Sequence, residues 1–445
     1  RFHLRKNVKF HDGSPFTADD VIFSAERVRA PGSNFQTNVP GDATFVKVDD
    51  TTVDMVLKTP NPIAHYQFGS WYIMSKTWAE KHDALKPTPA AATTPSYAAL
   101  NANGTGPFVI TEHQPGVRTV FKRNPNYWGP VESNIDEAVF TTIGNDATRV
   151  AALLSGEVDW IEPVPLQDQS RVNGNAGTEV ISSPELRTIF LGMDQSSDEL
   201  RGSNVKGKNP FKDVRVREAF YRAIDEDAIV KRVMRGQASA AALLIAPPLF
   251  PLAGEFKRPG YDPNRAKALL AEAGYPNGFE VPLDCPNDRY VNDEAICQAI
   301  TSMLARVGIK VNLIAQPKAK YFAKVLKPNF DTSFYLLGWT PSSQDSHNIL
   351  FEIAGCRGDK GSARGTTNLG NYCNPKVDEL TDKIERETDQ EARNLMIKQA
   401  YEIIQNDWGY IPLHQQALAW GVSKKVKVAP RADDQMMLYW VKKDQ

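Results

Sequence analysis

Residues 2–27 read FHLRKNVKFHDGSPFTADDVIFSAER and combine the signals of a strand, a turn and a helix. Apolar and polar residues alternate over the first ten positions, which favours a half-buried strand there. The Asp-Gly pair at 12–13 supplies a turn, because glycine tolerates a positive φ. Thr17 with Asp20 three residues later is typical of a helix N-terminus. Because the strand begins at the first position, we expect residues upstream of Arg1 to complete its sheet in the natural protein.

Further motifs follow the opening block in a fixed order along the chain. They are GTGPF (104–108), RNPNYWG (123–129), RVAALLSGEVDW (149–160), VRVREA (214–219) with AID (223–225), YDP (261–263) with AKALLAEAG (266–274), GW (338–339) and IPLH (411–414). In this order they resemble the family 5 extracellular solute-binding proteins of bacterial ABC importers. That group includes receptors for dipeptides, oligopeptides, nickel, opines and glutathione.

Composition excludes several classes of protein. The chain has 445 residues, which exceeds what one hydrophobic core usually organises and predicts two or three domains. Its formal net charge of −1 points to neither nucleic acid nor an anionic membrane as a partner. No apolar stretch is long enough to span a bilayer. A signal peptide or a lipid-modified cysteine upstream of Arg1 stays open.

The fold expected from the chain is α/β. Alternating helices and strands after residue 196 predict a largely parallel, doubly wound sheet. The family resemblance implies a two-lobed periplasmic binding protein of type II with an extra subdomain, three domains around a hinged cleft. The predicted divisions are 1–128 for a small α+β subdomain, 129–195 with 417–445 for the rest of the first lobe, and 196–416 for the second lobe. Closure of the lobes on a solute is then what a permease recognises.

The four cysteines form two local pairs, which predicts two disulfides. Cys285 and Cys297 span a strand and the following helix, and Cys356 and Cys373 bracket a glycine-rich loop. Closing loops of this length contributes roughly 3 kcal/mol each on the chain-entropy model. This pairing indicates an oxidising compartment, whereas the alternative is four buried thiols in a cytosolic protein.

No motif for catalysis or cofactor binding is present. The sequence lacks a phosphate-binding P-loop, HExxH and GxSxG, so no catalytic residue is assigned and ATP hydrolysis falls to a partner subunit. The seven histidines are dispersed, which disfavours a metal site, and no cofactor is predicted. A hydrolase and an ectodomain that signals to a membrane sensor are the alternatives from other functional classes.

The loop after the predicted strand at 333–337 is the best candidate for binding a ligand. Trp339 offers a stacking face at the carboxyl end of a strand, where α/β sheets bind ligands. The resemblance implies an Asp three residues after this Trp that pairs with the ammonium group of a peptide, and here Ser342 takes that position. A neutral hydroxyl cannot supply that charge-assisted bond, although Asp345 could replace it. Without such compensation the ligand is not an ordinary peptide with a free amine.

Other candidate ligand contacts each have a structural alternative. Ser70, Trp71 and Tyr72 match a stretch that lines the cleft in relatives, but the two aromatic side chains could equally form the edge of a core. Trp420 is a hinge or pocket aromatic. Arg357 beside Cys356 could meet a ligand carboxylate or could be an exposed loop charge.

The predicted function is therefore that of a non-enzymatic receptor. It captures a peptide or modified amino-acid compound and delivers it to the permease subunits of an ABC importer. An opine, a glutathione-like compound or a metal chelate is an alternative ligand. The receptor is expected to be a monomer in the periplasm, or lipid-anchored outside the cell if the source has no outer membrane.

Overall fold

The fold is described from a computed structural model, which describes residues 1–33, 35–88, 92, 94–359 and 362–444. The backbone divides into two compact units. Unit 1 comprises Arg1–Ser183 and Leu418–Gln445, and unit 2 comprises Pro184–Ala417. The three-part division with boundaries at 128 and 195 stays a prediction, and Gln445 lies outside the described residues.

The helices are mostly short, and longer ones are concentrated in unit 2. The α-helices are α1 Ala18–Arg29, α2 Ala64–Gln67, α3 Lys76–Lys81, α4 Tyr97–Leu100, α5 Asp146–Ser155, α6 Gln169–Gly174, α7 Val214–Ala223, α8 Glu226–Ala228, α9 Pro263–Glu272, α10 Asp293–Ala305, α11 Lys318–Val325, α12 Ser346–Glu352, α13 Pro375–Ile384 and α14 Gln390–Asn406.

The strands include two long ones, β8 and β13, which pass from one unit into the other. The strands are β1 Phe2–His3, β2 Thr44–Asp49, β3 Thr52–Val56, β4 Phe108–Gln114, β5 Arg118–Arg123, β6 Glu137–Thr141, β7 Trp160–Ile161, β8 Thr178–Met193, β9 Ala238–Ala240, β10 Glu280–Pro286, β11 Lys310–Gln316, β12 Phe334–Trp339, β13 Tyr410–Ser423, β14 Val426–Lys427 and β15 Lys442–Lys443.

The opening block folds as predicted in its helix but not in its strand. Thr17 caps α1, and its backbone N–H donates to the Asp20 carboxylate at 2.8 Å in a capping box. The predicted ten-residue strand is wrong, because β1 ends at His3. Asn7 adopts φ +62°, a left-handed conformation that interrupts an extended chain, and Phe10 is buried beyond that turn.

Among its described residues, unit 1 contains three small antiparallel sheets and several helices. The sheets have the strand orders β1-β3-β2, β4-β5-β6 and β14-β15. Helix α5 begins after Asn145, whose side chain accepts a hydrogen bond from the Thr148 backbone, and ends at Gly156 with φ +79°. Its apolar face packs on Ile161 of β7. In this unit the last residues of β13 pair with β7.

Unit 2 is built on a mixed sheet with the order β11-β10-β12-β8-β13. Strand β10 is parallel to both β11 and β12, as the α/β alternation predicts. The prediction of a largely parallel sheet is wrong, because β12 and β8 are antiparallel, as are β13 and β9. The strands stop being parallel at β12, because its other neighbour is β8, which begins in unit 1 and runs in the opposite direction.

The helices of unit 2 begin and end where the sequence indicates. Asp262 caps α9 by accepting from the Arg265 backbone at 2.9 Å, and Gly274 follows the helix with φ +90°. Gly308 with φ +89° follows α10 in the same way. Side chains of α12, α13 and α14 form one apolar core with Phe190 of β8. These helices therefore cover the sheet and bury its apolar side chains.

Both predicted disulfides are present in the structure. The Cys285–Cys297 bond joins β10 to α10 and is fully buried. The Cys356–Cys373 bond closes a loop after α12, and Cys373 is exposed. Residues 360 and 361 within that loop lie outside the described residues.

Candidate functional site

The candidate site lies at one edge of the unit 2 sheet, where two parallel strands end side by side. Strand β10 ends at Pro286 and β12 ends at Trp339. The strands are parallel neighbours, so the loops that follow them leave from the same edge. This carboxyl edge is the place where open α/β sheets bind ligands. Tyr290, from the loop after β10, donates a hydrogen bond from its hydroxyl to the Gly338 carbonyl at 3.3 Å.

Trp339 stands half-buried at this carboxyl edge. One side of its ring packs against the apolar core of unit 2. Its Nε1 donates to Oδ1 of Asn348 at 2.8 Å. The ring is therefore fixed in orientation and is not wholly enclosed, which are the properties that a stacking platform needs. The prediction that Trp339 contacts the ligand stays a prediction.

Asp345 serves the architecture of the loop. It caps α12 by accepting from the His347 backbone at 2.8 Å. Both carboxylate oxygens also accept from Arg393 of α14, at 2.7 and 2.9 Å. Arg393 is 3% exposed, so this carboxylate neutralises a buried cation. The geometry favours a structural role for Asp345 over the predicted contact with a ligand amine.

Arg289 is a residue of this edge that the sequence analysis missed. The buried carboxylate of Asp293 accepts from the backbone of Arg289 at 2.9 Å and of Tyr290 at 3.0 Å, which fixes the loop after β10. The guanidinium of Arg289 lies 5.1 Å from the centre of the Tyr290 ring and is exposed. It has no carboxylate partner among the residues that the structure describes.

Small polar side chains complete the edge after Trp339. Ser342 is half-buried, and its Oγ lies 3.5 Å from Nδ2 of Asn348. Thr340 and Ser343 each bury a hydroxyl oxygen that has no hydrogen-bond partner among the described residues. His347 is buried nearby, and burial lowers its pKa to about 4, so it is neutral at pH 7. The edge thus combines the exposed guanidinium of Arg289, the aromatic rings of Tyr290 and Trp339, and neutral hydroxyls.

The guanidinium of Arg357 contacts other groups of unit 2. It donates to the carbonyls of Asn368 at 2.8 Å and Leu369 at 2.5 Å. It also stacks on Phe330, with 3.7 Å to the ring centre. Burial lowers its pKa from the usual value of arginine. These contacts favour a structural role over the predicted contact with a ligand carboxylate.

The candidates of unit 1 have contrasting environments. Trp71 packs 5.1 Å from Phe68 between two apolar clusters, and Ser70 ends a short helical turn beside it. Tyr72 is 74% exposed. Trp420 is 1% exposed and packs 4.6 Å from Trp160 in the same unit. Trp71 and Trp420 are therefore core aromatics of unit 1, whereas Tyr72 is available to solvent, and their predicted ligand contacts stay predictions.

The part of the chain that the structure describes offers no group of side chains for a metal ion and no helix for a bilayer. In that part of the chain, no three His, Cys, Asp or Glu side chains gather in a group that could hold a metal ion. None of its helices has the length and apolar character needed to cross a bilayer.

Comparison with known proteins identifies the family. Residues 1–361 match the family described as bacterial extracellular solute-binding proteins, family 5. The chain belongs to this family. Its function is that of a solute-binding receptor of an ABC importer.

Curated relatives match nearly the whole chain. The dipeptide-binding protein of Escherichia coli K12 is 29% identical over an alignment of 450 positions, which covers 96% of this chain and 79% of that protein. The heme-binding protein A of Haemophilus influenzae is 27% identical, covering 96% and 78%. A glutathione-binding protein of Shigella flexneri is 28% identical, covering 95% and 78%.

Solved structures confirm the fold class. A periplasmic binding protein of Helicobacter pylori in complex with the peptide STSA superimposes with a TM-score of 0.83 at 24% identity, covering 100% of this chain and 86% of that one. A binding protein of A. tumefaciens R10 in complex with agropinic acid gives a TM-score of 0.80 at 25% identity, with the same coverage. The chain therefore has the α/β fold of the type II periplasmic binding proteins, as the resemblance implied.

Proposed function

We propose that this receptor captures a small solute that carries a carboxylate, either a peptide or a modified amino-acid compound, and delivers it to the permease. The observation that carries this proposal is the exposed guanidinium of Arg289 at the carboxyl edge, in the loop whose Tyr290 hydroxyl donates to the carbonyl of Gly338, the residue before Trp339. A guanidinium offers paired N–H donors that match a carboxylate. The nearby carboxylates of Asp345 and Asp293 are occupied by hydrogen bonds from the protein.

Relatives support both the main ligand class and its alternatives. The names of similar proteins specify a dipeptide, glutathione and agropinic acid as ligands. These ligands share carboxylate groups, so one cation at the edge suits each of them. An opine or a glutathione-like compound is therefore retained as an alternative, as is a metal chelate, in which the bound compound supplies the metal ligands.

The remaining features of the proposal concern how the receptor acts. It binds without chemical change of the solute, as a monomer, and uses neither a cofactor nor nucleic acid. The net charge of −1 supports the last point, because it offers no attraction to a polyanion. Two disulfides support an oxidising location, which is the periplasm or, with a lipid anchor, the outer surface of the cell.

The test begins with native mass spectrometry of the purified protein, which identifies the solute that co-purifies. Affinity for that solute is then measured by calorimetry for wild type, Arg289→Gln and Arg306→Gln. Arg306 is an exposed residue directly after α10 and controls for loss of a surface charge. We expect Arg289→Gln to weaken binding about tenfold or more and Arg306→Gln to leave it unchanged. Recovery of a solute without an acidic group, or unaltered binding by Arg289→Gln, contradicts the proposed ligand class.

A further inference from the structure

The side chain of Asn348 links three residues at the carboxyl edge. It is 4% exposed and lies on α12. Its Oδ1 accepts from Nε1 of Trp339 at 2.8 Å. Its Nδ2 donates to Oε1 of Glu352 at 2.8 Å and reaches Oγ of Ser342 at 3.5 Å. One amide group thus contacts an indole, a carboxylate and a hydroxyl.

The orientation of this amide is determined by its neighbours. An indole N–H can only donate, so the amide oxygen must face Trp339. The amide nitrogen then faces Oε1 of Glu352, to which it donates at 2.8 Å. The flipped amide is excluded, because it would set an N–H donor against the indole N–H. Asn348 therefore presents an N–H group towards Ser342.

This orientation determines the role left to Ser342. Its oxygen faces a donor, so its own O–H proton points elsewhere and can be donated. No other hydrogen bond of the Ser342 side chain occurs among the described residues. Ser342 is half-buried in the loop that follows Trp339. The loop thus offers a donor at this position, and the partner of a donor is an acceptor.

The surrounding structure keeps the arrangement rigid. Asp345 caps α12 and pairs with buried Arg393, which anchors the start of the helix that carries Asn348. Behind the edge, a Cβ added at Gly338 would meet side-chain atoms of Ile189 and Tyr290 at 2.7 Å. The strand that carries Trp339 is thus closely packed at Gly338, and the start of the helix that carries Asn348 is anchored by Asp345.

We propose that Asn348 is a positioning residue that fixes the ring of Trp339 and directs the hydroxyl of Ser342 as a donor. This edge then favours an acceptor group of the solute, a carboxylate or carbonyl oxygen, over an ammonium group at the same place. The inference rests on the proposed function, since it specifies the solute chemistry that the same site selects. It assigns the selection to neutral hydrogen bonding at the same sheet edge as the Arg289 cation.

The first test reverses the polarity of the hydroxyl position. Wild type and Ser342→Asp are titrated by calorimetry with Ala-Phe and with N-acetyl-Ala-Phe, which lacks the ammonium group. We expect wild type to bind the acetylated compound at least as tightly, and Ser342→Asp to shift the affinity ratio tenfold or more towards Ala-Phe. The exposed Gln344→Asp, two residues later, adds the same charge and should leave the ratio within twofold.

Three results of the titration overturn the inference. The first is a tenfold preference of wild type for Ala-Phe. The second is an affinity ratio that Ser342→Asp leaves unchanged, or that Gln344→Asp shifts by as much as Ser342→Asp does. The third is that Ser342→Asp binds neither compound. If native mass spectrometry identifies a solute with an acidic group and Arg289→Gln weakens its binding, the proposed function stands in each case, so the two failures are distinguishable.

The second test needs no ligand. In protein labelled with ¹⁵N-tryptophan, exchange of the Trp339 indole proton is followed by NMR, with the resonance assigned through Trp339→Phe. We expect Asn348→Leu to accelerate this exchange tenfold or more, while Glu352→Gln, which keeps an acceptor oxygen, retains the protection. Backbone amides of β12 report the stability of the unit. Unchanged indole exchange, or equal acceleration of indole and backbone, overturns the positioning role.

Discussion

Replacing Asp345 by alanine tests whether this carboxylate stabilises the fold or contacts the solute. The side chain has two structural tasks in unit 2: it caps α12 and it neutralises Arg393. The Arg393 side chain is 4% exposed and the Asp345 side chain 15% exposed. Alanine would leave the guanidinium buried without its only carboxylate partner among the described residues.

The expected loss of stability follows from these two tasks. Breaking a buried ion pair by removing one partner costs about 3–5 kcal/mol, and losing an N-cap costs about 1 kcal/mol. Because Asp345 keeps some contact with solvent, we take the low end of the first range and expect about 4 kcal/mol in total. For a domain of the size of unit 2, this lowers the melting temperature by about 8–16 °C.

Urea unfolding of wild type, Asp345→Ala, Asp345→Asn and Glu379→Ala measures this effect. Asparagine still caps a helix but lacks the charge, so its loss should be intermediate. Glu379 pairs with two lysines at the surface, and its removal should leave the free energy of unfolding unchanged. A loss below about 1 kcal/mol for Asp345→Ala, together with a large loss of solute affinity, would refute the structural role and favour contact with a ligand amine.

Three further predictions concern stability. Because Cys373 is exposed and the other disulfide is buried, mild reductant should open Cys356–Cys373 first. Alkylation followed by mass spectrometry checks the order, and simultaneous labelling of all four thiols would contradict the prediction. Burial lowers the pKa of His414 to about 4, below its unfolded value near 6.5. The neutral ring therefore contributes about 3 kcal/mol to the free energy of unfolding above pH 6.5, and this contribution is lost as the pH falls towards 4. His414→Phe should flatten the fall in melting temperature over that range, and an unchanged slope assigns the acid sensitivity elsewhere. Gly278→Ala should destabilise by about 3 kcal/mol or more, because φ is +71° and the added Cβ would lie 1.9 Å from the Gly308 carbonyl oxygen. Gly274→Ala, with φ +90° and open space, should cost about 1 kcal/mol; equal losses in urea unfolding would show that φ alone decides.

Local signals were sufficient to predict the helices. The caps at Thr17 and Asp262 and the terminating glycines at 156 and 274 act within one turn of chain, so the residues that determine them are adjacent in the sequence. The disulfides were predictable for the same reason, since each closes a short loop. Strand β1 was overestimated because alternation continues through Asn7, where the backbone turns.

Strand direction was not predictable from alternation alone. The parallel arrangement of β10 with β11 follows from the helix between them. Strands β8 and β13 enter the same sheet from distant parts of the chain, and no local pattern records which neighbour they meet. That is why the sheet is mixed although the succession of helices and strands is regular.

The site was predictable only as far as its loop. The pattern around Trp339 located the carboxyl edge, but the partner of Asp345 lies 48 residues further along the chain on α14. A buried cation at that distance leaves no signal in sequence spacing. Arg289 had a usable signal in the sequence: it follows β10, which is the parallel neighbour of β12 in the sheet, and parallel neighbours end at the same edge.

Near the carboxyl edge, the protein itself holds the guanidinium of Arg393 and the carboxylates of Asp345 and Asp293. Arg289 differs, since only its backbone is fixed while its charge faces solvent. A rigid backbone lowers the conformational entropy that a bound solute must remove, whereas the unpaired guanidinium keeps its donors for that solute. The proposed recognition of a carboxylate at this edge therefore depends on Arg289, because the charges of Arg393 and Asp345 already neutralise each other.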